Sequence, residues 1–205
     1  MKKKLPNANV LYLVTSSVSM NMLTIIQQAV QAGTNIVQIR DKNASNQQIL
    51  QFANQILPFL SQQNIPLIIN DRLDIAKQLQ VGVHLGIDDE DPLYARSFLG
   101  NDAIIGITIH DDINRAIQYK DIVDYVGVGP IFPTTTKLDA KPTIGVEGLS
   151  LLCTTSPLPV VAIGGISLKN AQKVWKTQPY GIAVCSAICH ATNPKTAVKN
   201  LLTRI

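Results

Sequence analysis

An α/β barrel of eight parallel strands, the TIM-barrel architecture, is what this 205-residue sequence predicts, and three observations predict it. Short Val- and Ile-rich runs alternate with segments of helical period from one end of the chain to the other. Eight such runs can be counted, and they are apolar on both sides, the pattern of parallel strands covered on both faces. Polar residues gather where these runs end, which is where barrels of this class carry their sites. An open doubly wound sheet is the competing arrangement. It would place a G-x-G-x-x-G turn after the first strand, whereas this strand closes in Val14-Thr-Ser-Ser17.

Taken in order, residues 10–14 form the first strand and 20–32 the first helix, whose apolar positions recur at helical spacing. Strand two, at 35–40, leads to a long helix over 46–62 that Ser45 can cap. Strand three, at 66–70, precedes a short helix over 74–79 with Asp71 as its cap. Strand four, at 82–85, is followed by a helix over 92–99. The fifth strand, 103–108, and the helix 113–119 are joined through Asp111, a third cap. The sixth strand, 125–129, runs into a long polar loop before a helix at 146–152. Strands at 160–163 and 181–186 complete the set, with helices at 168–176, capped by Ser167, and 195–205. Trp175 falls on an amphipathic helix face and reads as packing. No linker or low-complexity stretch interrupts the pattern, so one domain is expected over residues 1–205.

Composition narrows the function classes. With 46% hydrophobic and 16% charged residues the chain suits a buried core. A net charge of +4 without basic runs interleaved with aromatics argues against a nucleic-acid surface and for a small anionic partner. Met1-Lys-Lys-Lys4 resembles the start of a signal peptide, but Pro6, Asn7 and Asn9 interrupt it and no small-residue cleavage site follows. No apolar run reaches the roughly 18 residues that span a bilayer, so no membrane association is expected and the cytoplasm is the simplest location. Three cysteines, Cys153, Cys185 and Cys189, do not suggest a disulfide framework. A homo-oligomer is compatible with the sequence, which does not specify one.

Chemistry collects at the strand ends. After strand two, period-two alternation turns Gln38, Arg40 and Lys42 to one side, where two cations and an amide can bind a diphosphate; the plain alternative is a solvated strand exit. Asp71 and Asp89 follow strands three and four. Two carboxylates on adjacent strand ends suit Mg²⁺, which takes one or two carboxylates and leaves its other positions to water and phosphate oxygens. Against this, Asp71 can be a helix cap and residues 88–91 a polar loop. Strand five ends at Thr108, ahead of His110. Strand six ends in Gly129-Pro-Ile-Phe-Pro-Thr-Thr-Thr-Lys137, a turn followed by three hydroxyls and an ammonium. Backbone N–H groups at Gly164, Gly165, Cys185 and Ser186 can hold a phosphomonoester, since barrels often place phosphate after strands seven and eight. The alternative for Gly164-Gly165 is a tight turn without ligand. Of the histidines, His84 reads as a satisfied core residue and His110 as the better candidate for acid–base chemistry or a pocket wall. Cys185, Cys189 and His190 lack the second ligand pair of a metal centre.

In sequence order, Gln38-Ile-Arg-Asp-Lys42, Ile69-Asn-Asp-Arg72, Gly82-Val-His-Leu-Gly86 with Asp89, the Gly129 to Lys137 loop, Ile163-Gly-Gly-Ile166 and Ser186-Ala-Ile188 resemble the thiamine phosphate synthase family over nearly the whole chain. The resemblance implies a TIM barrel that joins an aminopyrimidine diphosphate to a thiazole phosphate, releasing pyrophosphate. It further implies that Gln38, Arg40, Lys42, Asn70, Thr108 and Lys137 surround the pyrimidine diphosphate, with Arg40, Lys42, Thr108 and Lys137 acting on the departing group. Asp71 and Asp89 would hold Mg²⁺. Thr134, Thr136, Gly165, Cys185 and Ser186 would hold the thiazole phosphate. Three positions depart from the family pattern: Ile87 stands in place of a common glutamine, Thr108 in place of a common serine, and Thr135 at a variable site. The thiazole tautomerase, a related barrel, shares an Asn-Asp-Arg turn like Asn70-Asp71-Arg72 and a histidine like His110. A non-catalytic barrel that binds a phosphate ligand would need neither Asp71 nor Asp89. Retention of Lys42, Asp89 and Lys137 favours the synthase.

Overall fold

The strands that sequence periodicity predicts pair in chain order and close on themselves. In the computed structural model, which describes residues 5–7, 9–134 and 141–203, β1 (Val10–Val14), β2 (Ile36–Ile39), β3 (Leu67–Asn70), β4 (Gly82–Leu85), β5 (Ile105–Thr108), β6 (Tyr125–Val128), β7 (Val160–Ile163) and β8 (Gly181–Val184) form a closed barrel. Every pairing is parallel, and β8 returns to β1 with Tyr12 opposite Ala183. Around it lie α1 (Met20–Ala32), α2 (Asn46–Gln62), α3 (Leu73–Leu79), α4 (Pro92–Leu99), α5 (Ile113–Gln118), α6 (Gly145–Thr155), α7 (Ala171–Trp175), α8 (Ser186–Cys189) and α9 (Pro194–Leu202).

Two apolar layers follow from the strand alternation. Outward residues such as Leu11, Leu13, Val37, Ile39 and Ile69 pack against the helices, where Ile26, Ile56 and Leu60 are fully buried. Inward residues Val10, Tyr12, Ile36, Ile68, Ile104, Tyr125 and Val161 fill the barrel. Covering both faces of a strand leaves no polar side, which is why the strands read as continuous apolar runs. At the N-terminal end of the barrel, Leu5 and Tyr180 pack against the inward layer, and the Tyr180 hydroxyl donates to the Pro6 carbonyl.

Helix starts follow local chemistry, with three differences from the sequence reading. Ser45 caps α2 in a reciprocal capping box with Gln48, and Asp91 caps α4 by accepting from Leu93 and Tyr94 N–H groups. Asp71, however, does not cap α3; the residue at that position is Arg72, without a side-chain cap. Asp112 rather than Asp111 caps α5, because Asp111 is engaged by His110. Ser167 is followed by a turn in which Asn170 Oδ1 accepts from the Ser167 N–H, and α7 starts only at Ala171. The eighth strand stops at Val184, two residues before the expected end, since Ser186 already opens α8.

Candidate active site

The C-terminal strand ends surround a cavity of about 270 Å³. Gln38, Arg40 and Lys42 enter it from the β2 exit, Asn70 and Asp71 from β3, Asp89 from the loop after β4, and Thr108 from β5. Thr134 reaches it from the β6 loop, Gly165 from β7, and Cys185 and Ser186 from β8. Thr136 and Lys137 lie outside the described residues, as does Thr135. The fold thus brings together in one cavity all the other residues to which the sequence assigns substrate, metal or catalytic roles.

One corner of the cavity is electrostatically tense. Asp71 sits in the left-handed region, with φ 63°, and its N–H donates to the His84 carbonyl at 2.9 Å. That turn faces the Asp71 carboxyl away from α3 and toward Asp89, which explains the missing cap. Burial and a hydrogen bond with Asp89, reinforced by Asp89's charge, push the Asp71 carboxyl up to about 7, while Lys42 and Arg40 pull it down. A carboxyl pushed up in this way beside Asp89 and two cations marks a place where a divalent cation can take over the part of the proton. Among the described residues no group of three or more His, Cys, Asp or Glu gathers to hold a metal, so such a cation would take its remaining ligands from water and substrate. That donor set, hard and oxygen-only, fits Mg²⁺.

The opposite rim is built from backbone. Gly164 and Gly165 both have positive φ, 97° and 66°. A Cβ on Gly164 would lie 2.5 Å from the Pro130 Cα, and one on Gly165 would lie 2.6 Å from the Phe132 and Pro133 carbonyl oxygens. The β7 turn is therefore pressed against the β6 loop, and only glycine permits that approach. Asn170 holds the turn from behind, donating through Nδ2 to the Gly165 carbonyl. Cys185 leads into α8 beside Cys189, and a hydrogen bond with the Cys189 thiol, with burial, pushes the Cys185 thiol well up.

The cavity floor carries a chain of side-chain hydrogen bonds. Gln38 Nε2 donates to Tyr12 Oη at 2.8 Å, and Tyr12 Oη lies 2.9 Å from Tyr125 Oη. Tyr125 Oη is 3.0 Å from His84 Nδ1, and His84 Nε2 is 3.0 Å from Thr108 Oγ1. The rings of His84 and Tyr125 stack with centroids 5.6 Å apart. Two glycines make the room: a Cβ on Gly106 would fall 2.0 Å from Tyr125 Cζ, and one on Gly127 would fall 3.1 Å from His84 Cε1.

The comparisons with known proteins agree with one another. The family model TMP-TENI, thiamine monophosphate synthase, matches residues 11–188. The chain belongs to this family. Thiamine-phosphate synthase of Azorhizobium caulinodans is 41% identical over 199 residues, covering 95% of this chain and 94% of that protein. Thiamine-phosphate synthase of Vibrio campbellii is 37% identical over 199 residues, covering 96% and 98%. Among solved structures, thiamine phosphate pyrophosphorylase from Pyrococcus furiosus superposes with a TM-score of 0.85 at 31% identity over 95% of this chain and 94% of that one.

Within the thiamine monophosphate synthase family site both histidines border the cavity, His84 satisfied as its apolar run implies and His110 as part of the wall. His84 faces the cavity with both ring nitrogens bonded to side chains. His110 lies at the rim with φ 55°, its Nδ1 2.6 Å from Asp111 and its Nε2 3.1 Å from the Pro142 carbonyl, and it ties the β5 exit to the chain beyond the β6 loop. Tyr12 and Tyr125 were hidden because each lies inside an apolar run; strand parity, which puts Tyr125 and Gly127 on the same side, was the available signal. Arg72 is a further unread contributor. Its guanidinium donates to Asn46 Oδ1 at 2.9 Å and to the Asp41 and Ala44 carbonyls at 3.2 and 2.6 Å, pinning the loop that carries Lys42.

Proposed function

We propose that this chain joins an aminopyrimidine carrying a diphosphate to a thiazole phosphate, forming thiamine phosphate and releasing pyrophosphate. The carrying observation is the division of the cavity: the Asp71–Asp89 pair with Arg40 and Lys42 occupies one side, and the Gly164-Gly165 turn with Cys185 and Ser186 the other. Two anionic groups can be held there at once. A protein that only binds one phosphate ligand has no use for the carboxylate pair.

The bond between the exocyclic methylene carbon and the diphosphate oxygen breaks, and its electron pair leaves with pyrophosphate. The electron-rich aminopyrimidine supports the resulting cation, and the thiazole nitrogen supplies the pair that forms the new C–N bond. No proton or protein nucleophile is consumed, which accords with a Cys185 thiol that a hydrogen bond with Cys189 and burial push up rather than activate as a nucleophile. Arg40 and Lys42 face the growing charge of the leaving group, Thr108 donates to it, and Gln38 and Asn70 orient the pyrimidine. Thr134, Gly165, Cys185 and Ser186 orient the acceptor, so that much of the rate comes from positioning. Thr136 and Lys137 carry the roles given by the family resemblance, at the acceptor phosphate and the diphosphate respectively. Asp71 and Asp89 would hold Mg²⁺, which when bound would supply charge neutralisation to the diphosphate.

Purified protein supplied with both heterocycles and Mg²⁺ should form thiamine phosphate and pyrophosphate in equal amounts. Formation of neither, with authentic substrates, rejects the reading. Isomerisation of the thiazole phosphate alone would assign the chain to tautomerase chemistry instead.

A further inference from the structure

From the floor of the cavity we infer that His84 is a positioning residue, held in its Nε2–H tautomer by the Gln38–Tyr12–Tyr125 chain so that the Thr108 hydroxyl hydrogen points at the diphosphate. The inference deepens the synthase reading and rests on it. Its basis is a count of donors. Gln38 Nε2 has no capacity to accept, so Tyr12 Oη receives a hydrogen from it. A buried phenol must also donate, and Tyr12 Oη donates to Tyr125 Oη. Tyr125 Oη, having accepted from Tyr12, donates in turn to His84 Nδ1. A neutral imidazole has one donor and one acceptor, so Nε2 carries the hydrogen and donates to Thr108 Oγ1. Thr108 is left to donate its own hydrogen, and it borders the cavity on the side of the Asp71–Asp89 pair.

Burial keeps both tyrosines protonated far beyond neutral pH, so neither link loses its donor under ordinary conditions. Gly106 and Gly127 let the Tyr125 and His84 rings lie flat across the barrel, which fixes the ring plane as well as the proton. Reversal of the chain would turn the Thr108 hydrogen toward His84 and present lone pairs to an anion. The direction set at Gln38 therefore decides whether Thr108 attracts or repels the leaving group.

The tautomer can be read without turnover, by long-range ¹H–¹⁵N correlation on full-length protein labelled at histidine, with His84→Gln identifying the resonance. The expected spectrum has a protonated Nε2 and an unprotonated Nδ1; an Nδ1–H form overturns the inference. Gln38→Leu removes the first donor and should populate the Nδ1–H form, and an unchanged spectrum would show that Gln38 does not set the direction. In turnover, Tyr125→Phe should lower kcat about tenfold or more, the scale of one hydrogen bond to a charged group, with KM for the thiazole phosphate unchanged. An unchanged kcat breaks the link to Thr108. Should Tyr125→Phe fail to fold, His84→Gln and His84→Asn decide the matter: the longer amide reaches Thr108 and should retain more activity, and the reverse order overturns the assignment. A wild-type protein with the Nε2–H spectrum but no product would reject the synthase reading while leaving the tautomer established.

Discussion

From a left-handed backbone turn the Asp71 carboxyl is aimed at Asp89, and burial together with Asp89's hydrogen bond and charge pushes it up to about 7. The folded protein therefore holds a proton, between about 3.8 and about 7, that the unfolded chain has released. Folding stability from this pair is fully present below the lower value and declines as pH rises through the upper one. In metal-free buffer the urea midpoint of the wild type should fall from pH 5 to pH 8 relative to Asp71→Asn, and Mg²⁺ should raise it more at pH 8 than at pH 5. Parallel slopes for the two proteins would mean that Asp71 does not carry the raised carboxyl.

Asp89→Ala should cost about a hundredfold in kcat, the scale of losing one group that stabilises developing charge. Ile87→Gln, at a neighbouring position that also borders the cavity, should change kcat far less. Pyrophosphate release measured across a Mg²⁺ titration separates them: Asp89→Ala should also require more Mg²⁺ for half-maximal rate. Equal losses in the two variants would mean that the carboxylate has no special part.

Gly106→Ala tests how tightly the floor is built. The added methyl overlaps the Tyr125 ring at 2.0 Å, and overpacking of this kind costs about 1–3 kcal/mol. Thermal unfolding should register that loss, and activity at a temperature where the variant is folded should fall with it, because Tyr125 cannot move without leaving His84. Full activity in a destabilised variant would show that ring placement is immaterial.

Gly165→Ala places a side chain at φ 66° and 2.6 Å from two carbonyl oxygens of the β6 loop. A left-handed non-glycine residue alone costs about 1–2 kcal/mol. Because this turn borders the acceptor side, KM for the thiazole phosphate should rise more than KM for the pyrimidine diphosphate in initial-rate kinetics. A rise confined to the diphosphate would reverse the assignment of the two sides.

Much of the architecture was legible because the local signals agree with the tertiary demand. Strands Val10–Val14, Gly82–Leu85 and Val160–Ile163 and helices Met20–Ala32, Asn46–Gln62 and Pro92–Leu99 have the bounds that periodicity and caps predict. Pro58 does not end α2, since the capping box at its start and a buried stripe through Ile56 and Leu60 carry the helix past it. The site was legible wherever a polar residue ends an apolar run, as at Arg40, Asn70 and Thr108. It was illegible where chemistry lies inside the run. Tyr12 and Tyr125 look like core until the barrel closes and sets their hydroxyls 2.9 Å apart, a contact across 113 residues of sequence. Asp71 misled for the opposite reason: it has the composition of a cap, but its positive φ, which sequence does not announce, turns it to Asp89.

Leu5 and Tyr180 stopper the barrel below its inward layer, with the Tyr180 hydroxyl latched to Pro6. Entrance and exit therefore coincide. Whatever reaches the layer of Tyr12 and Tyr125 passes the strand-end mouth bordered by Arg40, Asp71 and Ser186, so among the described residues the plug leaves the chamber a single door.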